Sequence, residues 1–415
     1  MVSKNHFHVI IAFIFISLPF SSIALHVVTP IKEFKILPST DPSSSHFNSI
    51  NIKGHYSTKT NSNGCFNKIY AFGDSYTDTG NAQLLNSSKN LKKGQEKPNN
   101  GWLLIDFVRD ALNISSLPPY KSINANFSSG VNFAMAGATV FTEEFLSQHK
   151  INSTLMWKDG YHSFQTQIEW YNKFVSDIAC KGKNNESCKA DMENSLFWVG
   201  EIGIDDYVRA LRSKVSLRWI KDMAMAHTSR LLAGRGRISF ILLQTLLDSG
   251  AKYIVVEGLP ALGCYPFAKS SRHFVKDDMN CNAKINRVTK AHNHDLQDML
   301  EGFRRRKGAN VSISYADYFD AYKVITGNLN KFGFEDAVKA CCGYHRNKIL
   351  NFSFKNLCGM PGAETCRDPD SYIHWDGIHL TEAMYRQLSE FFLHGNFCKP
   401  SFIHLIRVKK GLLRA

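Results

Sequence analysis

The sequence predicts an α/β fold, arranged as a three-layer α/β/α sandwich around a mainly parallel five-stranded sheet. The prediction rests on two patterns: short apolar runs rich in Val, Ile, Phe and Tyr, and longer helical patterns that separate them. Strands that alternate with helices form βαβ units, which place parallel strands in one sheet and cover both of its faces with helices. Because five strands suffice for one such sheet, a single large domain is favoured over two.

The predicted elements follow in chain order. The strand candidates are apolar runs bounded by Gly, Pro, Asn or Asp, at residues 69–72, 131–134, 196–199, 253–256 and 312–316. Helical patterns occupy residues 102–112, 164–178, the region before Gly250, 285–303 and 380–392. His292 lies on the apolar stripe of the helix over 285–303, which indicates a buried structural histidine.

The two ends of the chain differ from the middle. Lys4, an apolar core over residues 9–20 and the small residues Ser22 and Ala24 form the pattern of a secretory signal peptide. We therefore predict a signal peptide over 1–24, an extended lead-in over 25–64, a folded domain over 65–398 and a basic C-terminal tail over 399–415. The apolar core is short for a membrane span, so we expect a secreted, extracellular protein without a transmembrane segment.

Cysteines and glycosylation sequons agree with export. The ten cysteines allow up to five disulfides, and Cys180 and Cys188 could close one short loop, whereas Cys341-Cys342 lacks the spacing of a zinc site. Seven Asn-x-Ser/Thr sequons predict N-glycosylation, at Asn86, Asn113, Asn126, Asn152, Asn185, Asn310 and Asn351.

The chain is strongly basic, with a formal net charge of +14. No nucleic-acid motif accompanies this charge, and export argues against such a partner, so we reject nucleic-acid binding. Weak attraction to an acidic polysaccharide is a hypothesis that the charge supports. We expect a monomer.

A serine turn and a late Asp-x-x-His pair could supply catalytic chemistry. An apolar strand leads into a tight turn that presents Ser75, and Asp376 and His379 lie three positions apart much later in the chain. A serine hydroxyl is a poor nucleophile until a base takes its proton and a third group orients that base. We predict that Ser75 is the nucleophile, His379 the base and Asp376 the orienting group.

Structural alternatives stay open for these residues taken singly. Asp376 could cap the helix predicted over 380–392, and His379 could be an ordinary residue of its first turn. Asp74 is expected to brace the turn beside Ser75 rather than to take part in the chemistry.

The motifs resemble one hydrolase family and not another. Thr77 stands where the Gly-x-Ser-x-Gly elbow of α/β-hydrolases has its second glycine, so that motif fails. Residues 73–81 instead resemble the first block of the GDSL, or SGNH, hydrolase family, and the resemblance covers about residues 65–398. Further blocks are similar to its secreted plant branch, at residues 130–139, 200–207, 258–264, 341–343 and 372–379.

This resemblance implies a flavodoxin-like SGNH fold and a secreted serine ester hydrolase. The enzyme would form an acyl-enzyme on Ser75 and would need no metal or organic cofactor. Its oxyanion hole would comprise the backbone N–H groups of Ser75 and Gly137 and a side chain at position 205. Acyl esters of lipids, sugars or small alcohols are all admissible substrates, because fold and triad do not set the substrate.

The chain departs from the family pattern in three places. Asp205 stands where the family has an asparagine whose NH₂ donates to the oxyanion, and an ionised carboxylate donates nothing. The segment over 82–101 is short and Lys-rich, and residues 227–240 look like an insertion. The replacement at position 205 and the short segment over 82–101 support a rival hypothesis, a catalytically impaired relative that binds an ester, a glycan or a wall polymer.

Overall fold

A six-stranded sheet organises the fold. The computed structural model describes residues 64–86, 99–151, 162–213, 215–229, 238–271, 274–344 and 349–413. Its strand order is β10-β5-β4-β3-β1-β2; β1 to β5 are parallel, and β10 pairs antiparallel with β5. These strands are β1 (Ile69–Phe72), β2 (Gly130–Asn132), β3 (Leu196–Val199), β4 (Tyr253–Glu257), β5 (Ser312–Ala316) and β10 (Cys398–Lys399).

Two small sheets and fourteen labelled helices complete the described part of the chain. The small sheets pair β6 (Asp336–Ala340) with β9 (Tyr372–His374), and β7 (Cys342–Tyr344) with β8 (Ala363–Thr365). The first seven helices are α1 (Asn81–Asn86), α2 (Leu104–Ala111), α3 (Glu143–Gln148), α4 (Phe164–Phe174), α5 (Asn185–Glu193), α6 (Ile204–Ser213) and α7 (Leu217–Ser229). The remaining seven are α8 (Ile238–Asp248), α9 (Pro266–Lys269), α10 (Ala283–Lys307), α11 (Tyr318–Thr326), α12 (Leu329–Phe332), α13 (Glu382–Leu393) and α14 (Phe402–Lys409).

Alternation along the strands builds the three layers. Successive residues of β1 face opposite sides of the sheet: Ile69 and Ala71 belong to one apolar cluster, and Tyr70 and Phe72 to the other. The first cluster packs against α2, α6, α7 and α13, and the second against α4, α8 and the later part of α10. Since both faces of a parallel sheet are covered, its strands are apolar throughout. The predicted α/β/α sandwich is confirmed.

The five predicted strands are present; the sixth strand of the main sheet, β10, and the four short strands of the two small sheets were missed. β10 spans only two residues, which is too short for a periodic pattern to identify. The helix predicted over 164–178 is α4 followed by a π-helical turn at Val175–Ala179. His292 is buried on α10 as predicted, and the Tyr207 hydroxyl lies 2.9 Å from its Nδ1.

The C-terminal residues fold with the domain and are not a separate tail. Lys399 belongs to β10, and Phe402 and Leu405 of α14 are buried in the first apolar cluster. The predicted boundary at 398 is the end of the family resemblance, and the segment beyond it was described by its basic residues. The apolar positions of α14 fall one turn apart, which is enough to dock the helix while its lysines and arginines stay near solvent.

Four disulfides form, one of them the predicted pair Cys180–Cys188. The others join Cys264 to Cys281, Cys341 to Cys366 and Cys342 to Cys358. Cys65 and Cys398 are buried free thiols, so the fifth possible bridge is not made. Within the described part of the chain, no helix has both the length and the apolar character needed to cross a bilayer.

Several predicted features fall partly or wholly outside the described residues. These are the signal peptide over 1–24, residues 25–63 of the lead-in predicted over 25–64, the Asn152 sequon and the middle parts of the 82–101 and 227–240 segments. Asn113, Asn126, Asn185 and Asn310 are exposed. Asn351 is half-buried, and its amide donates to the carbonyl of Ala340 at 2.8 Å.

Candidate active site

The carboxyl edge of the parallel sheet gathers the predicted site residues. Ser75 follows β1, Gly137 follows β2 and Asp205 follows β3, and in the sheet β1 lies between β2 and β3. Because all three strands are parallel, the segments that follow them leave the sheet at the same edge. The strand order therefore places the candidate nucleophile between the two segments that carry the other oxyanion-hole candidates.

The turn that carries Ser75 is held by its own backbone hydrogen bonds and by a side chain of α4. The Asp74 carbonyl accepts the amides of Thr77 and Asp78, which closes the turn. Gln167 of α4 binds the Gly73 peptide twice: its Oε1 accepts the Gly73 amide at 3.0 Å, and its Nε2 donates to the Gly73 carbonyl at 2.7 Å. Gly73 has φ of +150°, a backbone conformation that favours glycine.

Ser75, His379 and Asp376 form one continuous hydrogen-bonded chain. The Ser75 hydroxyl lies 2.8 Å from His379 Nε2, and His379 Nδ1 lies 2.8 Å from Asp376 Oδ2. An ionised Asp376 can only accept, so Nδ1 carries the proton and Nε2 is free to accept from Ser75. All three side chains are buried. The structure thus brings the predicted triad into bonding contact.

The loop between β9 and α13 presets Asp376 and His379. Asp376 Oδ1 accepts the amides of Ile378 at 2.9 Å and His379 at 2.7 Å. Gly377 has φ of +91°, and a Cβ there would lie 2.0 Å from the Phe352 ring. Thr381 rather than Asp376 caps α13, because its side chain accepts the amide of Met384. The helix-cap alternative for Asp376 is wrong.

The residue after the nucleophile ties the two catalytic loops together. Tyr76 is buried, and its hydroxyl donates to the carbonyl of Ile378, the residue before His379. Its ring centroid lies 5.7 Å from that of His379. A single side chain thereby fixes the distance between the serine turn and the histidine loop, a role that the sequence analysis did not assign to it.

Neighbouring anions control the basicity of His379. Burial alone disfavours its imidazolium form, but the Asp376 carboxylate outweighs burial, with smaller contributions from Asp205 and Asp74. The net result is a pKa of His379 raised above its usual value. An imidazole of this kind is a stronger base toward the serine proton, provided that it is neutral in the resting enzyme.

Polar side chains lock the β2 segment onto the serine turn. The Asp78 carboxylate accepts the backbone amides of Asn81 and Ala136. The side-chain Nδ2 of Asn81 donates to the backbone carbonyls of Asn132 and Ala134. Asn132 in turn donates to the Thr77 carbonyl at 2.6 Å. Sequence reasoning noted Asp78 and Asn81 only as parts of a motif. Asp78 lies just ahead of α1 and Asn81 is its first residue, positions typical of capping residues, and this was the available signal.

The Gly137 peptide is oriented from α6. Arg209 Nη2 donates to the Gly137 carbonyl at 3.1 Å, and Gly137 has φ of +81°. Within the described residues, neither the Gly137 amide nor the Ser75 amide has a hydrogen-bond acceptor. An oxyanion hole requires N–H groups that are free to donate, and these two amides meet that requirement.

Asp205 lies in the first turn of α6, within electrostatic reach of the triad. Burial is the largest cause of a pKa raised to about 7 for its carboxyl; Asp74 also raises this pKa, and Arg209 and His379 lower it. Its neighbour Asp206 also has a pKa raised by burial to about 7, but its Oδ2 accepts the Val140 amide at 2.9 Å. Position 205 therefore holds a carboxyl that is neutral below about pH 7.

The segment after the short Lys-rich stretch contacts the start of α13. The Asn100 side chain accepts the amide of Glu382, and Glu382 Oε2 accepts the amide of Trp102 at 3.0 Å. A Cβ on Gly101 would lie 1.7 Å from Glu382 Oε2. These contacts hold residues 99–102 against Glu382, which lies three positions after His379 in the chain. No cluster of His, Cys, Asp and Glu suited to a metal ion occurs in the described part of the chain.

Comparison with known proteins gives a consistent result. Residues 69–392 match the family described as GDSL-like Lipase/Acylhydrolase. The chain is 36% identical over 369 residues to GDSL esterase/lipase At3g48460 of Arabidopsis thaliana, covering 84% of this chain and 91% of the relative. It is 30% identical over 349 residues to acetylajmalan esterase 2 of Rauvolfia serpentina, covering 79% of this chain and 90% of the relative.

Proposed function

The chain belongs to the GDSL-like lipase/acylhydrolase family and is an ester hydrolase, and we propose that it works through an acyl-enzyme on Ser75. The observation that carries this mechanism is the chain of hydrogen bonds from Asp376 through His379 to Ser75, with 2.8 Å at each step. Such a chain is the arrangement by which a serine becomes a nucleophile.

The residues divide the reaction into two halves. Ser75 Oγ attacks the ester carbonyl while His379 Nε2 takes its proton, and the imidazolium then protonates the leaving alcohol. In the second half, His379 takes a proton from water, the resulting hydroxide attacks the acyl-Ser75 carbonyl, and the proton returns to Ser75. Asp376 stabilises the imidazolium in both halves through Nδ1.

The oxyanion would be held by the amides of Ser75 and Gly137 and by the protonated Asp205 carboxyl. A neutral carboxylic acid can donate a hydrogen bond, as the asparagine of the family pattern does. An ionised Asp205 would instead repel the oxyanion and hold His379 in its protonated form. The active state thus combines a neutral His379 with a protonated Asp205. The inactive state is the ion pair of a protonated His379 and an ionised Asp205, which carries the same total number of protons.

The substrate is an acyl ester of a small molecule or a lipid. One relative is named as an esterase of an acetylated compound, which makes chromogenic acetyl esters the first substrates to assay. We also propose an extracellular location, supported by the four disulfides.

A basic surface supports weak attraction to acidic polysaccharides. An open depression of about 560 Å³ lies beside α5 and α14, and Lys183, Lys409 and Lys410 line it. Asp191 offsets part of this charge through its ion pairs with Lys68 and Lys183. Polyanion binding of this kind would hold the enzyme near a wall polymer without involving Ser75.

A fluorophosphonate probe tests the proposed mechanism. The purified protein should be labelled at Ser75, and Ser75→Ala should abolish both the label and the turnover of a chromogenic acetyl ester. Ser129→Ala is the matched control, because the Ser129 hydroxyl is partly exposed and lies 3.3 Å from the Ser115 hydroxyl, away from the triad. Absence of labelling from pH 4 to 8 would favour the non-catalytic binding alternative.

A further inference from the structure

Two buried carboxyl groups meet beneath the serine turn. Asp74 precedes the nucleophile, and Glu201 follows β3, the strand next to β1. Both are almost fully shielded from solvent, at 1% and 0% exposure. Their side chains are in hydrogen-bonding contact with each other. Two ionised carboxylates cannot share such a contact, because neither has a proton to donate.

The two carboxyl groups have fewer hydrogen-bond donors around them than their buried oxygens need. Asp74 Oδ1 accepts the Tyr76 amide at 2.9 Å, and Glu201 Oε2 accepts the Ile204 amide at 3.4 Å. Asp74 Oδ2 and Glu201 Oε1 have no donor among the described residues. A proton shared by the two carboxyl groups supplies a donor that the described residues do not, and buried polar atoms left without partners are costly.

The surroundings place that proton on Glu201. Glu201 faces the acidic side chains of Asp205 and Glu257 as well as Asp74, with burial the largest cause of a pKa raised well above its usual value. Asp74 is buried too, and its pKa is raised, but the Glu201 proton, the Tyr76 amide and His379 all favour its ionised form. The remaining titratable neighbours are the phenols Tyr265, Tyr318 and Tyr385, with pKa values raised by burial, and they add no charge.

Glu257 is not part of this pair. It is also buried, and its Oε1 accepts the Trp198 indole N–H at 2.6 Å. Burial raises the pKa of Glu257 to about 8, and the backbone amide of Glu201 donates to it. It therefore has its own donors and serves as a comparison residue of the same chemistry.

We propose that Glu201 is a positioning residue which, as a neutral carboxylic acid, donates a hydrogen bond to the Asp74 carboxylate, fixes the turn that carries Ser75 and keeps a negative charge near His379. That charge supplements Asp376 in stabilising the imidazolium formed when Ser75 attacks. The inference rests on the proposed role of Ser75 as nucleophile.

Three substitutions separate the two parts of this role, with the pH dependence of fluorophosphonate labelling as the readout. Glu201→Gln keeps a donor to Asp74. The fall of its labelling rate toward low pH, the acid limb of the pH profile, should therefore match that of the wild type. Glu201→Leu removes the donor, so Asp74 takes up a proton and its charge is lost. Asp74→Asn removes the charge directly. In both of these variants the pKa of His379 should fall, which moves the acid limb to lower pH by roughly one unit.

Labelling rates and a control complete the test. The rate should fall about tenfold or more in Glu201→Leu, because the turn loses its brace, and stay within about threefold in Glu201→Gln. Glu257→Gln should retain the wild-type acid limb. An acid limb unmoved in both Glu201→Leu and Asp74→Asn would overturn the electrostatic role and leave Glu201 as packing only.

Infrared spectroscopy tests the pair independently of activity. The C=O stretch of a buried protonated carboxylic acid should be present at pH 7 and lose one component in Glu201→Gln, and a spectrum identical to the wild type would refute the neutral Glu201. If Ser75 is never labelled, the proposed mechanism fails while this spectrum still decides the carboxyl pair. If Glu201→Leu does not fold, the comparison of the Glu201→Gln and wild-type spectra still tests whether Glu201 is neutral.

Discussion

In the proposed mechanism, Asp205 changes the pH range of the site relative to the asparagine of the family pattern. An asparagine donates at every pH, whereas the Asp205 carboxyl, with its pKa raised by burial to about 7, donates only below that value. His379 must meanwhile be neutral, and its pKa is raised, so it is neutral only toward higher pH. The two requirements leave a narrow pH interval in which both groups are in their active forms.

We predict that Asp205→Asn widens that interval. One pH unit above a pKa of about 7, roughly a tenth of Asp205 is protonated, so the variant should hydrolyse an acetyl ester about tenfold faster there. Loss of the neighbouring anion should also lower the pKa of His379 and move the acid limb downward. The measurement is kcat/KM against pH.

Asp206→Asn is the control for this change. Asp206 has a similarly raised pKa, but its carboxylate accepts the Val140 amide, which an asparagine oxygen can also do. It should produce no gain at alkaline pH. An unchanged profile in Asp205→Asn would show that position 205 does not reach the oxyanion.

At the scale of elements, the ends of β1 and β3 approach each other closely beside the nucleophile. Gly200 follows β3, and a Cβ there would lie 2.2 Å from Thr77 Oγ1 and 3.0 Å from the Phe72 carbonyl oxygen. The serine turn and the β3 segment therefore pack without room for even one methyl group. Interiors are close-packed, so such a group forces one of the two segments to move.

We predict that Gly200→Ala lowers the free energy of unfolding by about 1–3 kcal/mol and slows fluorophosphonate labelling. Urea denaturation and labelling kinetics measure the two effects. Gly302→Ala is the matched control, because Gly302 lies on α10 with only the flexible Arg306 side chain nearby, at 3.4 Å. It should stabilise the protein by about 0.5–1 kcal/mol through helix propensity. Equal effects of the two substitutions would contradict the close-packing argument.

At the scale of the whole molecule, the net charge of +14 and the lysine-lined depression should act together on a polyanionic matrix. We predict retention on such a matrix, with elution at a salt concentration that falls in the double variant Lys183→Gln/Lys410→Gln. The reason is the loss of positive charge where the lysines cluster.

Arg305→Gln/Lys290→Gln is the charge-matched control for that variant. It removes two cations from α10, away from the depression, and should change the elution salt less. Release of the wild-type protein at very low salt would remove the polysaccharide hypothesis.

The strands of the sheet and the triad residues could be predicted from the sequence, whereas the residues that support the triad could not. The runs that became β1 to β5 were recognisable because strands buried on both faces are continuous apolar segments. Ser75, Asp376 and His379 were recognisable because their residue types and motif spacing are specific. Glu201 carried no such signal, since its role depends on contact with Asp74, which lies more than a hundred residues earlier.

The sequence by itself determined the fold class, the candidates for nucleophile, base and orienting carboxylate, and the presence of an aspartate at position 205. Local pattern and residue chemistry suffice for those features. Only the tertiary structure decided that Tyr76 links the catalytic loops, that Asp205 is buried enough to hold its proton, and that Asp74 and Glu201 meet. Burial and the charges around a group are set by segments distant in the chain, and these two quantities control protonation.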